Sequence, residues 1–147
     1  MEDYKIREKK IDDNYKRNKK FILEFEKWLK NKKLSPKTIR KHLSNIDIYI
    51  NDYLNYYEIT KMEDGISEAY MFLNDWFIRK CAFASITSIT ENAASIKKFY
   101  NCMCELGYIS KDDYSFLNKS ISDNMDIFYD SYNETYEYEG EEWEEFF

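Results

Sequence analysis

Three glycines and one proline in 147 residues set the first limit on what this chain can fold into. A sandwich or barrel needs many tight turns, and tight turns draw on Gly, Pro and Asn-Gly pairs. The chain has almost none, so an all-β fold is not expected. The same scarcity removes a dinucleotide fingerprint or a P-loop, which need clustered glycines against phosphate. What remains is helix. The length suits one domain, and 44% apolar residues with 18% aromatics supply a core rather than a disordered segment.

Catalytic options narrow in the same way. A Ser-His-Asp triad, a Cys-His pair or a His-rich metal site would all have to share the single histidine, His42. Cys81, Cys102 and Cys104 are an odd number without framework spacing, and Cys102-x-Cys104 lacks the second ligand pair of a zinc site. They read as core thiols in a reducing compartment. The first residues, Met-Glu-Asp-Tyr-Lys, contain no apolar leader region, and no run approaches the roughly 18 apolar residues of a membrane span. The expectation is a cytoplasmic protein, not an enzyme, with no cofactor, no metal and no membrane contact.

Apolar periodicity divides the chain into four to five helices. Ile11, Tyr15, Ile22, Phe25 and Leu29 mark a long amphipathic helix ending near Lys33, with an expected break near Asn18. Ser35 and Pro36 open a second helix, one face of which is traced by Ile39, Leu43, Ile46, Ile50, Tyr53 and Tyr57. Residues 59–65 read as a loop. Ser67 is the expected cap of a third helix that buries Ala69, Phe72, Leu73, Trp76 and Phe77. Ser88 with Glu91 forms a capping box for a fourth, with Ile89, Ala93, Ile96, Tyr100 and Met103 inside and Gly107 as its stop. Ser110 and Asp113 start a fifth over about 111–130, carrying Tyr114, Leu117, Ile121 and Phe128. The expected organisation is a charged N-terminal helix or extension over 1–19, a compact helical domain over 20–131 and a flexible acidic, aromatic tail over 132–147. Trp28, Trp76 and Phe99 sit at core spacing, although Trp76 and Phe77 beside Arg79 and Lys80 also fit an exposed docking patch.

Charge is distributed along this order. The net value is −6, yet residues 1–50 carry +7, residues 51–111 carry −2 and residues 112–147 carry −11. A basic head with an acidic tail fits a polyanion-binding surface; solvated helix faces account for it as well.

Two segments carry a resemblance. The first runs from Phe25 to Ile50 around Leu34-Ser-Pro-Lys-Thr38, and the second from Ser95 to Ile109 around Ile96-Lys-Lys-Phe-Tyr100 and Gly107. In this order they resemble the N-terminal core-binding (SAM-like) domain of phage integrases and other tyrosine recombinases, over about residues 20–112. The resemblance implies an all-α bundle of that type and a grip on one face of duplex DNA. Carried over position by position, the implied DNA contacts are Lys37, Thr38, Arg40, Lys41 and Ser44 on the second helix, and Lys97, Lys98 and Asn101 on the fourth. Lysines would supply sequence-independent affinity, and Arg40 is the one side chain suited to bidentate reading of guanine.

The departures are as informative. The family's enzymes carry a second domain with Arg, Lys, His-x-x-Arg and a tyrosine nucleophile. Here His42 has Asn45 at the third position after it, and the residues beyond the matched region are too few for such a domain. The resemblance therefore implies a stand-alone, non-catalytic DNA-binding or accessory module, of the kind a mobile element would use. The alternative is a protein-interaction or inhibitor module whose acidic tail mimics nucleic acid. Glu141, Glu142, Trp143, Phe146 and Phe147 are then the partner-binding candidates. Three readings of the tail stay open: it folds over the basic half and competes with DNA, it docks a protein, or it only solubilises.

Overall fold

Lys33 ends the first helix by turning left-handed, with φ of 60°, a conformation that costs a non-glycine residue about 1 kcal/mol. Before it, helix α1 runs Glu2–Asn31 without interruption. After it, Ser35 takes an extended conformation and its Oγ accepts from the Thr38 N–H at 3.2 Å. Pro36 occupies the first turn, and α2 spans Pro36–Asp47. This computed structural model describes the backbone of residues 2–146 and the side chains of 3–136. Among them the fold is all-α, with no strand.

From α2 the chain passes directly into a π-helical segment, Ile48–Tyr53. A 3₁₀ turn over Met62–Ser67 leads into α3 (Ala69–Met71), a second π segment (Phe72–Trp76) and α4 (Phe77–Lys80), which together form one rod. Then come α5 (Ile86–Glu105), α6 (Lys111–Asp123) and α7 (Met125–Phe146).

The expected break near Asn18 is absent, and the reason is polar. Asn14 and Asn18 are buried, each aimed at the segment after α2. Asn18 donates to the Ile50 carbonyl and to Asn51 Oδ1, and Asn14 to Asn55 Oδ1 and the Thr60 carbonyl, at 2.9–3.3 Å. Nearer the start of α1, Arg7 donates to the carbonyls of Asn55, Tyr56 and Tyr57. Those carbonyls have no helical partner ahead of them, and a cation there also suits the helix dipole. Arg17 grips Glu63 with two hydrogen bonds of 2.6 and 2.8 Å. The charged start of α1 is thereby fastened to residues 50–63. Tyr15 lies on the outer side of the helix rather than in the core.

The core is aromatic and continuous. Phe21, Phe25 and Leu29 of α1 are buried, with Phe25 edge-on to Phe99 of α5 and Phe21 edge-on to Tyr108. Tyr49 and Tyr100 are fully buried, and each donates its hydroxyl to the 3₁₀ turn: Tyr49 to the Gly65 carbonyl at 2.6 Å, Tyr100 to the Met62 carbonyl at 2.7 Å. Gly65 is needed there for space, because an added Cβ would overlap Tyr100 Oη and lie 2.8 Å from Leu54 Cδ1. Ala69, Phe72, Leu73, Trp76 and Phe77 are all buried, as are Ile89, Ala93, Ile96, Tyr100 and Met103. Trp76 and Phe77 therefore belong to the core and not to a docking patch.

Three boundaries differ from expectation. α5 starts a turn early, because Ser85 and Ser88 cap one another reciprocally, which leaves Glu91 free for another partner. Ser67 does not cap the third helix; its hydroxyl donates to the Asp64 carbonyl instead. The expected fifth helix is interrupted at Asn124, whose Nδ2 turns back to the Ser120 carbonyl at 2.6 Å. α7 then continues past residue 131, where a flexible tail was expected. Ser131 Oγ donates to Asn74 Oδ1, Tyr132 packs against the core, and the Tyr132 and Tyr136 rings are 4.6 Å apart. Residues 132–136 are thus part of the folded body.

Candidate nucleic-acid interface

The surface of interest begins with a run of chain that has no carboxylate. From Lys27 to Ile46 there are seven cations, Lys27, Lys30, Lys32, Lys33, Lys37, Arg40 and Lys41, and no Asp or Glu. They cover the end of α1, the turn and the first half of α2. Ile39 and Ile46 are buried beneath α2, which leaves Lys37, Arg40, Lys41 and Ser44 on its outer side at spacings of three and four residues. Thr38 is held in the cap, where its Oγ1 accepts from Ser35 Oγ at 2.9 Å.

α2 and α5 lie side by side and run in the same direction. Lys41 pairs with Glu91, His42 and Asn45 meet Ser95, and Tyr49 meets Tyr100. This joins the two sequence segments that carry the resemblance. The seam is hydrogen-bonded around one buried hydroxyl. Ser95 Oγ donates to the Glu91 carbonyl at 3.0 Å and receives Asn45 Nδ2 at 3.0 Å. His42 Nδ1 lies 2.7 Å away, and the Ser95 proton is already placed, so the imidazole donates from Nδ1. Burial first, and then the Lys98 charge, hold His42 below the usual imidazole range, against an opposing pull from Glu91. It stands neutral near pH 7, and its job at the seam is to donate.

Lys98 thus sits on the α2 side of α5. Lys97 does not. Its Nζ donates to Ser122 Oγ of α6 at 2.5 Å. Asn101 is half-buried one turn further along α5. The structure leaves Lys37, Arg40, Lys41 and Ser44 on the outer side of α2, with Thr38 at their edge, puts Lys98 across the seam near His42, and turns Lys97 toward α6. Of the lysines around the end of α1, Lys30 lies beside Arg40, and sequence reasoning did not single it out. Carboxylates approach this surface as well: Glu26 holds Lys30 at 3.1 Å, Glu91 holds Lys41 at 3.0 Å, and Asp47 is exposed at the end of α2. Exposed pairs of that kind are worth under about 1 kcal/mol and open readily. Lys32 rests over the Trp28 ring, 4.8 Å from its centroid.

Such a surface can neutralise phosphates along one α-helical face. It offers one guanidinium, on Arg40, with no ion-pair partner among the described residues. Between Leu34, Pro36, Ile39 and Leu43, rimmed by Glu26, Lys30 and Arg40, lies a shallow apolar groove of about 340 Å³.

Elsewhere the chemistry is quiet. The three cysteines are free thiols, and burial pushes Cys102 up to about 12, with Glu105 and Glu24 adding to the effect. Among the described residues no group of three metal-ligating side chains converges, and no helix is long and apolar enough to cross a membrane. The side chains of Glu141, Glu142, Trp143 and Phe146 lie outside the described residues, as does Phe147 altogether. Compared with protein-family models, with curated proteins and with solved structures, the chain finds no match.

Proposed function

We propose that this protein is a stand-alone, non-catalytic DNA-binding module, a bundle of the integrase core-binding (SAM-like) type acting as an accessory factor, in keeping with a mobile element. The observation that carries the reading is the outer side of α2, where Lys37, Arg40, Lys41 and Ser44 lie exposed within a stretch, Lys27 to Ile46, that holds no carboxylate, with Lys98 across the seam near His42. Lysine ammonium groups and the Ser44 hydroxyl would fix the register on phosphates, while Arg40 would read a base edge. The hydrogen-bonded seam at Ser95 holds α2 and α5 in one rigid unit, so the cations need little reorganisation on binding. Free thiols agree with a cytoplasmic site of action.

The test is binding of a labelled mixed-sequence duplex by fluorescence anisotropy at low salt. The Lys37→Glu/Arg40→Glu chain should lose binding by at least about tenfold, since two phosphate contacts become repulsive. Equal binding by both chains would refute the site.

A further inference from the structure

A recess of about 350 Å³ lies between the loop that leaves the first π segment and Glu68, the residue before α3; Tyr53, Leu54, Tyr57, Glu58 and Thr60 form its remaining walls. Contacts that need no ligand hold these walls in place. The Thr60 N–H donates to the Leu54 carbonyl at 2.8 Å, which closes the loop on itself. α1 fastens the same loop, Arg7 through the carbonyls of residues 55–57 and Asn14 through the Thr60 carbonyl. Tyr53 is buried against Tyr49, Phe72 and Trp76, and its hydroxyl donates to Glu68 Oε2 at 3.3 Å. The recess is therefore a preformed feature of the fold, with aromatic and aliphatic surface on its walls.

Its charge is one-sided. Two carboxylates line it and no cation does. Among the described residues neither Glu58 nor Glu68 has an ion-pair partner. The cations in the neighbourhood are engaged elsewhere. Arg79, which stands near Tyr57, clasps Asp75 with two hydrogen bonds of 2.8 and 2.7 Å, and Arg7 spends its guanidinium on the three carbonyls. Arg7 and Lys10 do line an adjoining recess that shares Tyr57 and Glu58, so Glu68 is the more poorly matched carboxylate of the two. An ionised carboxylate can accept about four hydrogen bonds, and half-buried Glu68 receives a single long one, from Tyr53. Burial first, and then the Glu68 charge, push the Tyr53 hydroxyl well above its ordinary range, as a locally negative site requires.

From this pairing of unmatched carboxylates with tyrosine and leucine walls we infer that the recess binds an aliphatic ammonium ion, its charged end held by Glu68 and Glu58 and its methylenes covered by Tyr53, Leu54 and Tyr57. An ammonium brings three donors and no acceptor, which is what the carboxylates lack. An alkyl chain behind it lies against apolar wall while the charge stays at the polar end, and tyrosine faces add an attraction for the cation itself. The ligand is a free aliphatic amine or the lysine side chain of another protein; both present the same group. The recess shares no residue with the proposed duplex surface, so either reading can fail alone.

The experiment follows backbone amide shifts by NMR in the full-length chain as n-butylammonium is added, with 1-butanol as the neutral counterpart. The cation should shift the amides of residues 53–60 and of Glu68 saturably, and the alcohol should leave them in place. Glu68→Gln keeps the size of the side chain and should weaken binding at least about tenfold, the share of one charge-assisted hydrogen bond. Tyr57→Ala, at an exposed position, should weaken it about threefold. Glu141→Gln/Glu142→Gln should bind as the wild type does, which separates the recess from general attraction to the acidic end of the chain. Nα-acetyl-lysinamide, titrated in parallel, identifies the source: binding tighter than that of n-butylammonium points to a lysine side chain, weaker binding to a free amine, and either upholds the recess as an ammonium site. Shifts confined to the acidic end, equal shifts with 1-butanol, no saturable shift at all, or full affinity in Glu68→Gln overturn the inference.

Discussion

Ser95→Ala removes one oxygen from the seam between α2 and α5, and its cost can be worked from the contacts. Ser95 is fully buried, and its Oγ receives Asn45 Nδ2 at 3.0 Å and His42 Nδ1 at 2.7 Å. Both donors lose their partner when the hydroxyl goes. A fully buried orphan costs roughly 1–3 kcal/mol. Asn45 and His42 are only half-buried, so water meets part of the need, and about 1 kcal/mol each is the reasonable share. Against this, Ala is the better helix former and the hydroxyl's back-bond to the Glu91 carbonyl is no longer there to bend α5, which returns about 0.5 kcal/mol. The net loss is about 1.5 kcal/mol, or a fall in Tm of about 5 °C for a chain of this size. Urea denaturation should show a lower midpoint with an unchanged m-value. Duplex affinity should drop with it at temperatures where α2 loosens against α5. A variant as stable as the wild type would refute the reading of Ser95 as the hydrogen-bonded centre of the seam.

The same contacts lead to three further expected outcomes. Gly65→Ala should cost about 3 kcal/mol, combining overpacking against Leu54 with the loss of the buried Tyr100 bond to Met62, and thermal unfolding measures it. A histidine whose folded pKa is lowered binds its proton more readily when unfolded, so His42 supports stability fully above its ordinary 6.5 and loses that support as pH falls through 6.5 toward the folded value. The lowered carboxyls of Glu63 and Asp75 act below their ordinary 4.5 and 3.8. Urea midpoints between pH of about 7 and about 5.5 should therefore decline, and His42→Gln should flatten the decline. Lys98→Ala should reduce the salt slope of duplex binding by about 1, while Lys97→Ala, turned toward Ser122, should leave it unchanged.

Much of the fold was legible because helices write their buried face at a fixed period. The stripes in α5 and in the rod of α3 and α4 could be read directly, as could the Ser35-Pro36 start and the Gly107 stop, whose φ is 84°. The two π segments did not disturb those stripes enough to hide them. What escaped was polar and non-local. Asn18 looks like a helix breaker in isolation, and only the distant acceptors at residues 50–60 make it and Asn14 fasteners. The Ser85 cap and the Ser88 cap are equally plausible as sequence, and the backbone chose the earlier one. Acidic composition suggested a tail from Tyr132, yet Tyr132 finds apolar cover on the core and extends α7. At the candidate interface, the resemblance named Lys37, Arg40, Lys41 and Ser44, and the structure leaves all four exposed on the outer side of α2. It could not tell that the adjacent Lys97 and Lys98 serve different neighbours, because that depends on which helix lies on each flank of α5.

The central claim is that the outer face of α2 binds duplex through charge, and the salt dependence of that binding tests it most directly. Contact by four cations, Lys37, Arg40, Lys41 and Lys98, predicts a slope of log affinity on log salt of about −3.6, which is about a 150-fold loss between about 50 and about 200 mM. The wild-type chain should show that slope, and Lys37→Glu/Arg40→Glu a shallower one, by about 2. A wild-type slope near zero, or one that the double reversal leaves untouched, would contradict the claim.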